Sequence, residues 1–273
     1  MTSTNTELPE RMARLPKDKI GRPVPWFAAT INGEPDFRVV KPGAVSQALK
    51  YSLCWVCGCP FMGGEDCAFL VGPMCIVNLV SSEPPSHLDC AIWSAENCPF
   101  LVTPNMVRRD RHMPDGAVNP AGIMIRRNPG ASVVWVTGYR GWRTEKVDGG
   151  FLFRLGPAKR ALWFAEGREA TRAEVLASIN SGLPLLRDMA EQDGPEALAD
   201  LERMHAAALE HIPQEAAQVP NPGSDDALAQ GCLCAVIDNH HGRDAPYPPD
   251  GWYITAGCPL HAPPGMKEAT THG

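Results

Sequence analysis

The hydrophobic pattern of residues 23–40 predicts a β-hairpin. Two strand-like runs, VPWFAATI and FRVV, lie on either side of Asn32-Gly33, a dipeptide strongly favoured in two-residue hairpin turns. After this segment, Val45, Leu49 and Leu53 recur at helical spacing with few helix-breaking residues between them. This spacing predicts a short helix that ends just before residue 54.

The next apolar segments predict a second hairpin and a second helix. Residues 67–80, CAFLVGPMCIVNLV, read as two β-runs separated by Gly72-Pro73. Beyond them, Ser86 or the prolines before it can begin a helix that places residues 87–90 in its first turn.

The middle of the chain predicts an antiparallel β-meander of four strands. Its β-branched and aromatic runs are separated by turn-forming residues such as Asn128-Pro129-Gly130 and Gly156-Pro157, and they read GIMIRR, ASVVWVTGYRGW, GGFLFRLG and RALWFAEG. A capping box, Thr171-x-x-Glu174, then predicts a helix. Residues 181–184, Ser-Gly-Leu-Pro, predict a break in it. A further helix is expected after Asp193-Gly194-Pro195, and the helices are predicted to cover the sheet.

Composition and the absence of long apolar runs mainly indicate the cellular compartment in which the protein is expected. The chain has 273 residues, enough for an apolar core. It has no apolar run of the roughly 20 residues that a membrane span needs, and its first residues lack the pattern of a secretion signal. We therefore expect a cytoplasmic protein without a membrane partner. In a reducing compartment, clustered cysteines favour metal ligation over disulfides.

The segment LCWVCGCPF contains the first half of a candidate metal site. Cys54 and Cys57 form C-x2-C followed by Gly58, and His87 and Cys90 form H-x2-C at the predicted helix start. Two such pairs supply the four ligands of a closed, tetrahedral, structural zinc site. Their order, a knuckle, a hairpin and a ligand-bearing helix, resembles a treble-clef zinc finger over residues 54–103. Cys59 is the rival to Cys57 as ligand, whereas Cys67, Cys75 and Cys98 are interpreted as buried or spare thiols.

A second set of candidate ligands lies near the C-terminus. Cys232 and Cys234 form C-x-C, and Cys258 and His261 form C-x2-H. A segment of about 45 residues has too little apolar area for an independent core, so a second structural zinc ion is expected to stabilise it. His240 and His241 are alternative ligands.

These patterns predict an α+β fold: a treble-clef-type zinc finger joined to an antiparallel β-meander covered by helices, with a small zinc-stapled C-terminal module. The expected organisation is a flexible arm over 1–22, the hairpin, short helix and zinc finger over 23–104, the sheet and helices over 105–213, a linker over 214–229 and the zinc module over 230–273.

Charge is distributed unevenly. Residues 1–175 contain 21 Lys/Arg and 17 Asp/Glu, and the remainder contains 4 and 14. The most basic stretch, 101–172, is a candidate surface for nucleic acid or for an acidic patch on a protein. Aromatic residues of the meander, if exposed, would allow base stacking beside the arginines, although core packing is their ordinary role. The proposed contact residues are Arg108, Arg109, Arg126, Arg127, Arg140 and Arg143.

Several stretches resemble a group of uncharacterised bacterial and bacteriophage or prophage-borne proteins. They include PVPWFAATINGEPDFRVV, CWVCG, VGPMCIVN, EPPSHLDCA, GREATRAEVLASINSGLPLL and the tail GCLCAVIDN…GCPLH. The resemblance implies a phage or mobile-element accessory protein and supplies no activity.

Two hypotheses follow. The first is a zinc-stabilised accessory protein without catalytic residues, which binds nucleic acid or a host or phage protein through its basic surface. The alternative is a metal-dependent hydrolase or nuclease-like enzyme with its site around Asp238, His240 and His241. The oligomeric state stays open.

Overall fold

The computed structural model describes residues 7–108, 113, 121–122, 126–214, 220–243 and 251–262. The chain forms two compact units, Met1–Gln214 and Glu215–Gly273. The chain is a mixed α+β protein, and its strands form antiparallel sheets. Within the described residues, no helix has the length and apolar character needed to cross a membrane.

The elements of the first unit alternate short helices with short strands before two longer helices close it. In chain order they are α1 (Glu10–Ala13), β1 (Ala28–Ile31), β2 (Glu34–Val40), α2 (Ala44–Tyr51), β3 (Cys67–Val71), α3 (Pro73–Val77), β4 (Val80–Ser81), α4 (Leu88–Asn97), α5 (Pro99–Val102), β5 (Ser132–Thr137), β6 (Arg143–Val147), β7 (Gly150–Arg154), β8 (Arg160–Ala165), β9 (Arg168–Glu169), α6 (Arg172–Asp193) and α7 (Pro195–Leu209).

The predicted N-terminal hairpin and the helix after it are confirmed. Strands β1 and β2 pair antiparallel around Asn32-Gly33, and both turn residues have positive φ, 50° and 83°, as a type I′ turn requires. Helix α2 then ends at Ser52, which is in the left-handed conformation. This reversal brings the chain directly into the first cysteine pair.

The hairpin predicted for residues 67–80 is wrong. Strand β3 pairs with β5, and Pro73 begins helix α3, in which Met74, Ile76 and Val77 are buried. A short apolar run does not distinguish a buried strand from a buried helix, and proline is well suited to the first position of a helix. The treble-clef order is therefore not reproduced between the two ligand pairs.

The prediction of a single four-stranded meander is also wrong. The strands form one sheet in the order β3-β5-β8-β9 and another in the order β4-β7-β6. Strand β5 is buried at every position, so it is central, with neighbours on both edges, whereas the polar β6 is an edge strand. Residues 123–125 of the first predicted strand lie outside the described residues. Because β3 and β4 pair with β5 and β7, strand pairing crosses the predicted boundary at 104/105.

Both faces of the central sheet are covered. Val133 and Trp135 of β5 belong to the largest core cluster, together with α3, α6 and α7. Val134 and Val136, on the opposite face, pack with Ala91 and Ala95 of α4. Helix α4 is thus fixed against the sheet along its length, and its first turn is held in a defined place.

The predicted break at residues 181–184 is absent, because α6 continues through Pro184. Proline removes the hydrogen bond to the carbonyl four residues earlier, but both Pro184 and Asn180 are exposed, so water can solvate that carbonyl. On the buried side, Gly182 lies against Met74, where a Cβ atom would come within 2.8 Å of that side chain. Helix α6 therefore continues through the Ser-Gly-Leu-Pro sequence that predicted a break.

Residues 7–22 do not form a flexible arm. Met12 is 1% exposed and packs with Leu15 against Cys54, Val56 and Cys57. The chain is held further by an isolated bridge between Lys17 and Pro23. The apolar side of α1 therefore covers the first cysteine cluster.

The second unit begins its folded structure inside the predicted linker. Helix α8 (Asp225–Ala229) has Ser224 as its N-cap, and a 3₁₀ turn covers His240–Gly242. The linker prediction is wrong for residues 225–229, because Ala227 is fully buried in the cluster formed by the cysteines of this unit.

Candidate metal centres

The four ligand atoms predicted for the first site lie together. The sulfurs of three cysteines and one nitrogen of His87 are all within 4.8 Å of one another, and all four residues are buried: Cys54, Cys57, His87 and Cys90. Cys57 Sγ and His87 Nδ1 are separated by 3.4 Å. This group could hold a metal ion, and all ten cysteines of the chain are free thiols.

The first ligand pair lies on a tight backbone loop. An isolated bridge between Leu53 and Pro60 closes it, and the N–H of Cys54 donates to the carbonyl of Cys59 over 2.8 Å. Gly58 has φ of +70°, and a Cβ atom there would lie 2.3 Å from Trp26. Only glycine satisfies both conditions at this turn.

Backbone amides surround the sulfurs of this loop. The N–H groups of Cys57 and His87 point at Cys54 Sγ over 3.4 and 3.3 Å, and the N–H of Cys59 points at Cys57 Sγ over 3.4 Å. Such donors stabilise negative charge on sulfur, which a metal-binding thiolate carries.

Helix α4 supplies the second ligand pair. His87 is its N-cap residue, with extended backbone angles, and Cys90 lies one turn later, 0% exposed. The predicted helix is therefore confirmed, but it begins later than predicted, because His87 and not Ser86 or a preceding proline is the N-cap. The ring of Phe61 packs on the His87 ring with centroids 4.5 Å apart.

The pKa values of the three thiols are shifted by their mutual hydrogen bonds. Burial opposes ionisation of Cys54, but hydrogen bonds from Cys57, Cys90 and His87 outweigh it and lower its pKa far below that of a free thiol. Hydrogen bonding to Cys54 in turn raises the pKa of Cys57 and of Cys90. Ionisation of Cys54 is therefore favoured at the expense of Cys57 and Cys90.

The predicted second site is also assembled. Its four ligand atoms lie within 4.8 Å of one another and belong to Cys232, Cys234, Cys258 and His261. His261 Nδ1 is 3.4 Å from the sulfurs of both Cys232 and Cys258 and 3.6 Å from that of Cys234. The sulfurs of Cys258 and Cys232 are 3.9 Å apart.

Backbone donors support this second group as well. The N–H of Leu233 points at Cys258 Sγ over 3.4 Å, and the N–H of Thr255 points at Cys234 Sγ over 3.5 Å. Burial alone would raise the pKa of Cys258, but backbone donors, Leu233 first, and His261 lower it to about 5. The buried side chain of Asn239 joins the two ligand segments, because it both accepts from and donates to the backbone of Tyr253.

The alternative ligands lie elsewhere. Cys59 is partly exposed, and its sulfur contacts the guanidinium of Arg14 rather than joining the first group. Asp238, His240 and His241 are exposed and lie outside both groups. Cys67 is fully buried in β3, where burial first and nearby carboxylates second raise its pKa to about 11.

The predicted contact arginines differ in their surroundings. Arg126, Arg140 and Arg143 are exposed. Arg108 is partly buried and donates to the carbonyl of Arg38, and Arg127 contacts Asn105 over 3.3 Å. Arg109 lies outside the described residues.

The large aromatics of the predicted meander are mostly core residues. Trp135 and Phe153 are at most 1% exposed, and Trp163 and Phe164 at most 5%. Their rings are therefore closed to a nucleic-acid base in this fold, which removes them from the predicted aromatic-containing surface.

Sequence reasoning missed the residues that surround the first ligand group. Glu65 Oε2 lies 3.5 Å from His87 Nε2, and Arg11 pairs with Glu65 and with Asp89. The apolar position of Met12 was the available signal for the covering helix, whereas a single glutamate in a Gly-Gly-Glu-Asp loop carries no recognisable pattern.

Comparisons with known proteins add no relative. No protein-family model, no curated protein and no solved structure matches this chain.

Proposed function

We propose that this protein is a zinc-stabilised accessory protein of the phage or prophage type, which binds a macromolecular partner and performs no catalysis. The observation that carries the proposal is the completeness of both ligand groups: each brings three sulfurs and one imidazole nitrogen together in a buried place. Four protein ligands fill the coordination of a tetrahedral ion, so neither ion retains a position for substrate.

Ligand type and spacing support zinc. Three thiolates with one imidazole form a ligand set typical of structural zinc. A tetrahedral zinc ion, with bonds of about 2.3 Å to sulfur and about 2.0 Å to nitrogen, separates a sulfur from a nitrogen by about 3.5 Å and two sulfurs by about 3.8 Å. The sulfur–nitrogen separation between Cys57 and His87 at the first site is 3.4 Å. At the second site, three sulfur–nitrogen pairs lie at 3.4–3.6 Å and the sulfurs of Cys232 and Cys258 at 3.9 Å. At the first site, the knuckle and the helix N-terminus would act as the two ligand-bearing parts of a treble clef.

The proposed partner is nucleic acid, contacted electrostatically. Arg140 lies in the turn after β5, and Arg143 begins the exposed edge strand β6, where Lys146 is also exposed. Arg126 is a third exposed arginine from the basic stretch. Because Trp135, Phe153, Trp163 and Phe164 are buried, we expect the contact to rest on phosphate neutralisation and to be insensitive to sequence.

A salt titration tests this proposal. Fluorescent single-stranded DNA, duplex DNA and RNA are titrated with the full chain between about 20 and 200 mM salt, where phosphate contacts weaken steeply. Replacing Arg126, Arg140 and Arg143 by glutamine should reduce affinity at low salt. The slope of log affinity against log salt should become less negative by up to about 3, since each phosphate contact contributes about 0.9. The matched control is Arg203→Gln on α7, which removes an exposed arginine paired with Asp200.

The outcomes separate the possible partners. Affinity that is absent at low salt rules out nucleic acid and leaves a host or phage protein with an acidic patch as the partner. Affinity that is equal in the triple variant and the control assigns binding to another surface.

A further inference from the structure

The two histidine ligands use the same nitrogen. In both groups Nδ1 faces the sulfurs, at 3.4 Å from Cys57 in the first and at 3.4–3.6 Å in the second. Nε2 is therefore left to carry the proton, because a neutral imidazole that binds a cation through one nitrogen is protonated on the other.

The groups that face these two Nε2 atoms are different. His261 Nε2 lies 2.8 Å from the backbone carbonyl of Pro220, which no side-chain substitution can remove. His87 Nε2 is buried and has no hydrogen-bond partner among the described residues. It faces the carboxylate of Glu65 at 3.5 Å, a distance slightly longer than a hydrogen bond. Nε2 of the second histidine therefore contacts the backbone, whereas Nε2 of the first faces a side chain.

Glu65 is itself held by two residues, Met62 and Arg11. Its Oε2 accepts from the N–H of Met62 over 2.7 Å, and its Oε1 faces both terminal nitrogens of Arg11 at 3.3 Å. Arg11 also reaches Asp89 Oδ2 at 3.2 Å, and Asp89 Oδ1 accepts from the N–H of Cys90 over 2.9 Å. A chain of contacts thus runs from the covering helix α1 to both ligands on α4.

We propose that Glu65 is the positioning residue of the first metal centre, which fixes the Nε2–H tautomer and the ring orientation of His87, and that Arg11 holds Glu65 in place from α1. This inference rests on the zinc sites proposed above. A carboxylate behind a histidine ligand raises its basicity, and loss of such a partner commonly weakens metal binding by about 10- to 100-fold. The first centre therefore depends on one removable side chain, and the second does not.

Zinc release from the full chain tests the inference. Zinc-loaded wild-type protein, Glu65→Ala and Glu65→Gln are mixed with a chromogenic chelator, and the release of the two ions is followed. The kinetic phase of zinc release from the second centre is identified by its absence in Cys258→Ser. In Glu65→Ala, one of the two ions should leave about 10- to 100-fold faster, while the other keeps its wild-type rate. Glu65→Gln keeps an acceptor oxygen and should lie between.

A spectroscopic readout distinguishes positioning from general destabilisation. In nitrogen-15 spectra of the histidine rings, the Nε2–H proton of His87 should exchange with solvent faster in Glu65→Ala, while that of His261 is unchanged. The matched control is Asp66→Asn, which removes a carboxylate from the same loop that pairs with Lys159 rather than with His87. It should alter neither the release rates nor the His87 signal.

Defined results overturn the proposal. Wild-type release of both ions together with an unchanged His87 proton in Glu65→Ala would exclude Glu65 as the positioning residue. If Glu65→Ala fails to fold, Glu65→Gln decides: a release rate equal to wild type overturns the inference. Wild-type protein that holds no zinc would instead refute the proposed function itself.

Discussion

The backbone N–H of His87 donates to the sulfur of Cys54, 33 residues earlier in the chain, over 3.3 Å. This contact joins the cysteine loop to the N-terminus of α4, and α4 is packed along the central sheet through Ala91 and Ala95. The first Cys/His group is therefore attached to the central sheet, so its members are expected to affect the stability of the whole first unit.

Replacing a ligand of the first centre should destabilise that unit strongly. Cys54→Ser removes a fully buried ligand and is expected to abolish one zinc ion and to lower the free energy of unfolding by more than about 4 kcal/mol, the range reached by loss of a metal site. Denaturant unfolding with zinc analysis measures both effects. Cys59→Ser is the matched control, because Cys59 lies outside the group, and it should keep both ions. Loss of an ion in Cys59→Ser would instead assign it as a ligand.

Gly58 is predicted to be indispensable for the geometry of the cysteine loop. In Gly58→Ala, positive φ and the approach of Trp26 to 2.3 Å act together, which should lower the free energy of unfolding by more than about 3 kcal/mol. Gly64→Ala provides the comparison, since Gly64 has φ of +90° with nothing within 4 Å of its Cβ position, and it should cost only about 1 kcal/mol. Equal effects of the two variants would show that contact with Trp26 is unimportant.

The N-terminal segment should stabilise the first unit through Met12. Met12→Ala opens a cavity beside the cysteines at a position that is 1% exposed and is expected to cost about 2–5 kcal/mol. Ile20→Ala, at a position that is 74% exposed, should change the free energy of unfolding by less than about 0.5 kcal/mol. Thermal and denaturant unfolding compare the pair. A neutral Met12→Ala would mean that the segment is not packed as described.

The second unit should unfold alone when its ion is removed. Its buried cluster consists of Ala227 and three cysteines, with Leu260 and Ala262 packed against them. We therefore expect metal coordination to be its main source of stability. In Cys258→Ser, amide hydrogen exchange should become fast over residues 220–243 and 251–262 while β5 keeps its protection. Retained protection in the second unit would show that it folds without metal.

Sequence predicted the members of the two Cys/His groups because candidate metal ligands have short, local spacings. Both cysteine pairs, His87 and His261 were found from C-x2-C, H-x2-C, C-x-C and C-x2-H, and the Asn32-Gly33 turn was found from its dipeptide. The predictions that were wrong concern features that are determined by long-range packing. The apolar pattern of residues 73–77 fits either a strand or a helix. The strands that pair with β5 are β3 and β8, which are distant from β5 in sequence, and no local pattern predicts such pairing.

The surroundings of the ligands were unpredictable for the same reason. Glu65, Arg11 and Met12 meet the first centre only after the chain has folded, across separations that no local pattern encodes. The carbonyl of Pro220 that faces His261 has no sequence signal at all, because any residue supplies a carbonyl.

The most direct test of the central claim is elemental analysis combined with native mass spectrometry of the full chain, purified without added metal. The account predicts two zinc ions per chain with all ten cysteines reduced, and loss of one ion in each of the variants Cys54→Ser and Cys258→Ser. A folded protein that carries no metal, or one whose clustered cysteines are joined as disulfides, would contradict it.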